Sequence, residues 1–252
     1  MKQTRLIMGM PVTVEIVDKN VHPDSIEKVF DYFQYVDGKF STYKNTSEIT
    51  KINLGEIKKK DWSPDMKKIF KLSAETKKQT NGYFNIEQAG FFDPSGIVKG
   101  WAILNAAELL KKMGYKNYYV EAGGDIQVSG KNNKNQYWRI GIRNPFNRYQ
   151  NVKIVSLKNR GIATSGTYIR GQHVYNPYLP KQSITDVVSL TIIGPNVYEA
   201  DRYATAAFAM GKNGIAFIGK IKGLEGYMID NKGQATFTGG FNNYVVHKNE
   251  NN

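Results

Sequence analysis

The chain has 252 residues, 40% hydrophobic and 12% aromatic, with no cysteine and 35 Lys plus Arg against 22 Asp plus Glu, a formal net charge of +13. At ~150 residues per domain this is one large or two small domains with an ample core, and the composition excludes collagen, coiled coil and wholesale disorder. Without cysteine there is no disulfide framework, thiolate metal site or thiol nucleophile, so a metal must use oxygen or the imidazoles of His22, His173 and His247.

The opening residues, through Asp18, lack the long apolar run of a signal peptide, and no stretch reaches ~18 apolar residues. The expectation is a cytoplasmic protein without a membrane span. The basic excess leaves nucleic acid, a phosphorylated cofactor and an acidic protein open as partners.

Val12 to Val17 alternates β-branched and polar residues and predicts a strand. A helix follows, with Asp24 as cap, Glu27 completing a capping box, and an apolar stripe from Ile26 to Val36. Residues 44 to 78 hold ten Lys against five acids, which predicts a solvated face. Within that stretch Ser63-Pro64-Asp65 opens a second helix and Asn81-Gly82 stops it. A third is predicted from Val98 to Met113. The pattern then changes to short strands at Tyr118 to Glu121, Ile126 to Ser129, Tyr137 to Arg143, Val152 to Leu157 and Val187 to Ile193. Helices are expected over Tyr198 to Met210 and Ile215 to Ile221, and a hairpin over Tyr227 to Thr238. Elements segregate in blocks, so the expected class is α+β with mostly antiparallel sheet.

Four segments carry candidate chemistry. Tyr43, in a polar loop past the first helix, offers a flat face for a planar ligand, or is an ordinary surface aromatic. Phe92 to Trp101 places Gly96 and Lys99 at a helix start, which suits a phosphate, although a plain loop-to-helix turn explains it nearly as well. Glu121-Ala-Gly-Gly-Asp125 and Ala163-Thr-Ser-Gly166 offer turn N–H groups and hydroxyls that can cradle an oxyanion, or are two tight turns. Asp201 and Thr205, four apart on a helix, form a hard-oxygen pair suited to Mg2+ or Ca2+, while first-turn placement of an acid explains Asp201 alone. His173 lies in a polar loop as a general base or a solvated side chain.

Taken in order, these segments resemble the ApbE family of flavin transferases. The likeness runs from Met8-Gly9-Met10 through Asp37 to Tyr43, Lys99-Gly100, Ala122 to Asp125, Thr164 to Tyr168 and Ala200 to Thr205. It implies an α+β, T-fold-like architecture of mostly antiparallel sheets flanked by helices around a central FAD cleft. It implies one domain over residues 1–252, with two subdomains around the cleft as a variant. The implied activity is Mg2+-dependent transfer of FMN from FAD to a Thr or Ser hydroxyl of a flavoprotein carrying an Asp-x-x-(Ser/Thr)-Gly-Ala-Thr-like motif, with AMP leaving. FAD hydrolysis to FMN and AMP and non-catalytic flavin carriage are the alternatives.

The resemblance assigns stacking on the isoalloxazine to Tyr43 and a cleft position to Asn53. Lys99, Thr164 and Ser165 meet the diphosphate. Glu121, Gly123, Gly124 and Asp125 lie at the adenosine end, and Met10 is also on the FAD side. Gly96 through its carbonyl, Asp201 and Thr205 make the metal site, with His173 and Asp201 catalytic. The chain departs from the family pattern at Asn85, Glu121, Asn176 and Leu179-Pro180.

Overall fold

A computed structural model describes residues 1–167 and 174–247. Two strands, β1 (Lys2–Ile7) and β2 (Met10–Ile16), precede α1 (Pro23–Phe40), α2 (Glu48–Asn53) and α3 (Pro64–Gln79). A small hairpin of β3 (Glu87–Gln88) and β4 (Phe91–Phe92) leads into α4 (Ser95–Lys112). Strands β5 (Tyr118–Ala122), β6 (Asp125–Ser129), β7 (Trp138–Asn144), β8 (Asn147–Leu157), β9 (Gly161–Gly166) and β10 (Val187–Gly194) follow. The chain then forms α5 (Val197–Ala209), α6 (Asn213–Ile218), β11 (Glu225–Asp230) and β12 (Ala235–Phe237).

One eight-stranded sheet, ordered β1-β2-β5-β6-β9-β10-β11-β12, is antiparallel at every pairing. The alternation expected of a strand buried on both faces decides what each side chain meets. On β10, Leu190 and Ile192 pack with α5 and α6 residues such as Phe208 and Ile218. Ile193 next door packs on the other face with Trp138, Ile140 and Val155 of the β7–β8 ribbon. A third cluster joins α1, α3 and α4 to the β1–β2–β5 end through Phe30, Ile103 and Val120. Helices thus line one face of the sheet and the ribbon covers part of the other, in agreement with the α+β expectation.

The sequence reading needs correction at several local points. Helix α1 starts at Pro23, where a missing N–H costs nothing, and His22 caps it by accepting from the Asp24 N–H. Asp24 is therefore in the first turn, and Glu27 pairs with Arg5 of β1 and makes no capping box. α4 begins at Ser95, three residues before the expected start, because Asp93 Oδ1 accepts from the Ser95 N–H at 2.9 Å. Strand β1, helix α2 and strand β9 have no counterpart in the expected elements. β1 is an edge strand whose exposed residues outnumber its buried one, and β9 is rich in small hydroxyl and glycine residues, so neither carries an apolar run.

Candidate active site

The site forms where α4 and α5 cross near the start of β6 and the middle of β9. Helix packing is unusually close there because Gly100 has no side chain. A Cβ at that position would lie 2.7 Å from Asp201 Cβ and 3.0 Å from the Val197 carbonyl. The approach lets the Gly100 N–H donate to Asp201 Oδ2 at 2.7 Å. Lys99 turns the other way and places its ammonium 2.6 Å from Asp125 Oδ2 and 3.5 Å from Asp201 Oδ1. Asp125 Oδ1 in turn accepts from the Thr164 N–H at 3.0 Å. Two carboxylates, 1% and 3% exposed, thus face one ammonium.

With both carboxyls ionised, that arrangement carries a surplus of buried negative charge. Burial is the main force raising the Asp201 carboxyl to about 7, with Lys99 opposing the rise and Asp125 adding to it. Thr205, one turn beyond Asp201 on α5, approaches the Gly96 carbonyl to 3.4 Å. A carbonyl, a hydroxyl and a carboxylate therefore converge, all hard oxygen donors suited to Mg2+. Among the described residues no group of three or more His, Cys, Asp or Glu gathers to hold a metal. A cation here would have to complete its shell with oxygens from a ligand. The donor set and the surplus charge both fit one.

Two adjoining hollows reach this floor. The first is a slot of about 90 Å³ between Gly96, Lys99, Asp201 and Thr205 on one side and Tyr83, Asn85, Gln88 and Tyr175 on the other. The second is a groove of about 630 Å³, large enough for a nucleotide, along Met10, Glu121, Gly123, Gly124 and Asp125. Thr164 lines both hollows. Gly123 and Gly124 form the two-residue turn joining β5 to β6, and both have positive φ, the backbone that such turns demand. Glu121 projects into the groove and accepts from Tyr119 Oη at 2.6 Å.

The structure thus brings together Lys99, Thr164, Ser165, Gly96, Asp201 and Thr205 at the slot and Met10, Glu121, Gly123, Gly124 and Asp125 at the groove, with the Lys99–Asp125 pair joining the two. Thr164 and Ser165 differ from expectation in setting. They belong to strand β9 and not to a turn, and the Thr164 hydroxyl pairs with that of Thr191 at 2.8 Å. Lys99 is engaged by carboxylates in place of a free point charge.

Two expected residues lie apart from both hollows. Tyr43 is 96% exposed on the loop after α1. Asn53 bonds the Phe92 main chain twice, donating to its carbonyl at 2.9 Å and accepting from its N–H at 2.8 Å, which clamps the β3–β4 hairpin. His173 lies outside the described residues. Conversely, Arg139 and Arg143 line the groove, and Tyr83, Gln88 and Tyr175 line the slot, none of them expected from sequence. Alternation with buried Trp138, Ile140 and Ile142 does put both arginines on one face of β7, yet nothing local says what that face meets.

A family model described as the ApbE family matches residues 8–91 and 88–228. A protein of Klebsiella pneumoniae named FAD:protein FMN transferase is 31% identical over 153 residues, covering 57% of this chain and 44% of that protein. One of the same name from Vibrio cholerae is 34% identical over 131 residues, covering 48% and 39%. The chain therefore spans less than half the length of these curated relatives. Among solved structures, the ApbE protein of Thermotoga maritima superposes with a TM-score of 0.86 at 20% identity, covering 98% of this chain and 99% of that one. The flavin transferase ApbE from Vibrio cholerae gives 0.84 at 20% identity, covering 97% and 98%. The fold is the one those structures share. With the family's pattern running through both halves of the sequence and the segments it names meeting at one floor, the chain belongs to the ApbE family.

Proposed function

We propose that this protein transfers FMN from FAD to a Thr or Ser hydroxyl of an acceptor flavoprotein in the presence of Mg2+, releasing AMP. The observation that carries the reading is the charge of the slot floor. Asp125 and Asp201 outnumber Lys99, so a diphosphate entering alone would meet repulsion, whereas a diphosphate with a divalent cation would be neutralised. Gly96 through its carbonyl, Asp201 and Thr205 would hold the ion. Mg2+ bound there supplies stabilisation of the charge that develops on the departing AMP oxygen.

The chain's own residues position the reactants. The Gly100 N–H fixes one oxygen of Asp201, and the other faces the Lys99 ammonium at 3.5 Å. Lys99 pairs with Asp125 beside the diphosphate, and the turn of Gly123 and Gly124 admits the adenosine end to the groove. Such positioning is the main contribution a protein makes to phosphoryl transfer. The family resemblance gives His173 the proton of the acceptor hydroxyl, and imidazole is the side chain most often used as a general base. The family resemblance gives the isoalloxazine to the exposed ring of Tyr43, and Asn53 supports the slot through the β3–β4 hairpin. The reading treats residues 1–252 as one functional unit and locates the reaction in the cytoplasm. No helix among the described residues is long and apolar enough to cross a membrane.

Incubation with FAD, Mg2+ and an acceptor bearing an Asp-x-x-(Ser/Thr)-Gly-Ala-Thr-like motif tests the reading. Covalent in-gel fluorescence on the acceptor, abolished by EDTA, is the expected result. Free FMN with no labelled acceptor would make the protein an FAD diphosphatase, and bound FAD without AMP release a carrier. In the same assay His173→Asn should slow transfer at least tenfold, and an undiminished rate removes it from the mechanism.

A further inference from the structure

The outer wall of the slot is made of two segments ninety residues apart in sequence, tied by tyrosine hydroxyls. One is the stretch from Asn81 to Gln88 ahead of the β3–β4 hairpin. The other is the strap from Val174 to Gln182. Tyr175 is half-buried, lines the slot, and donates its hydroxyl to the carbonyls of Asn85 at 3.0 Å and Glu87 at 3.1 Å. Tyr178, just outside the slot, donates to the Asn81 carbonyl and sets its ring edge-on to Tyr83 at 5.0 Å. The segment that Tyr175 grips is otherwise a lip with exposed Glu87 and Gln88, secured on its far side by the bonds of Asn53 to Phe92. Burial, then Asp93 and Glu87, raise the Tyr175 phenol, so the hydroxyl stays protonated and remains a donor.

This tie matters because two nucleophiles compete for the same phosphorus. In transfer, the acceptor hydroxyl oxygen bonds to the FMN phosphorus, the bond from that phosphorus to the AMP oxygen breaks, AMP leaves with the electron pair, and the hydroxyl proton departs. In hydrolysis water does the same and yields FMN, AMP and, near neutral pH, two protons. Bulk water is far more concentrated than any acceptor side chain, so transfer prevails only where the site excludes water until the acceptor has filled it.

Resting on the transfer reading above, we propose that Tyr175 is a positioning residue that decides between the two outcomes. By joining Asn85 and Glu87 to the strap, its hydroxyl keeps the slot narrow enough to exclude water while leaving the end of the slot open to an acceptor segment.

Tyr175→Phe keeps the ring and removes the tie. With saturating FAD and Mg2+, the ratio of free FMN to acceptor-bound flavin should rise about three- to tenfold, the range that loss of one neutral hydrogen bond supports, while AMP release changes little. Amide exchange at Glu87 and Gln88, measured without FAD, should quicken in the same variant. Tyr178→Phe, which loosens the strap away from the slot, should leave the ratio at the wild-type value. An unchanged ratio in Tyr175→Phe, or an equal rise in Tyr178→Phe, overturns the assignment, since general loosening would lower both products in parallel. If the wild-type protein releases no AMP at all, the transfer reading has failed, and the exchange measurement still decides whether Tyr175 holds the lip.

Discussion

Asp125 and Asp201 on the slot floor are buried at 1% and 3% exposure and share Lys99, whereas the rim depends on tyrosines that are half-buried or exposed and meet main-chain carbonyls. The floor is charged, dry and assembled from α4, α5, β6 and β9. The ties of the rim are neutral, wetter and made by loops. Ion pairs gain strength from burial and are costly to break, while a neutral hydrogen bond at the surface contributes little net stability. The floor should therefore govern whether the protein folds and binds a cation, and the rim should govern what enters.

The largest test of that contrast is Lys99→Met, which strands two buried carboxylates. It should cost about 3–5 kcal/mol in denaturant unfolding. A loss below 1 kcal/mol would show that water reaches the floor as freely as the rim. Gly100→Ala comes next, because its methyl would press on Asp201 Cβ and the Val197 carbonyl. Overpacking of that kind should cost about 1–3 kcal/mol and reduce Mg2+-dependent turnover with it.

The pH dependence of the metal-free protein separates floor from rim without any change in packing. The Asp201 carboxyl, ordinarily near 3.8, is raised to about 7 in the folded state, first by burial. Between those values the native protein holds a proton that the unfolded chain has lost. The stabilisation is thus fully present below 3.8 and is lost as pH rises through about 7. Urea melts in EDTA should show stability falling across that window, Asp201→Asn should flatten the slope, and added Mg2+ should stabilise the protein most above pH 7. The smallest effect belongs to the rim, where Tyr178→Phe should cost no more than about 1 kcal/mol in the same melts.

How much of this was legible beforehand varied with the range of the interaction. Ser63-Pro64 announced α3 because a cap and a first-turn proline act within a few residues, and Ser63 does accept from the Met66 N–H. The apolar stripe of α1 was readable for the same reason, although the start was misplaced by the competition between Asp24 and Pro23. Strand β9 was read as a turn because Thr164 and Ser165 have polar side chains, while their strand character comes from pairing with β10 on one side and β6 on the other. Asp201 and Thr205 were readable as a pair from helical spacing, but the sharing of Lys99 by Asp125 and Asp201 was not, since three separate elements, α4, β6 and α5, contribute to it. Arg139, Arg143 and Tyr175 carried no signal, as each gains its place only from a distant segment.

The sequence by itself determined the class of fold, most of the helices and strands, and a set of segments whose order marks the family, because caps, turns and periodicity are local properties. Only the tertiary structure decided that Lys99 would be shared by two carboxylates, that Asn53 would clamp Phe92, and that Tyr175 would close the rim. Those pairings span 26 to 102 residues of chain. They exist because burial, nearly complete on the floor and partial at the rim, makes an unpartnered charge or carbonyl costly, and the chain finds the partner wherever the fold brings one within reach.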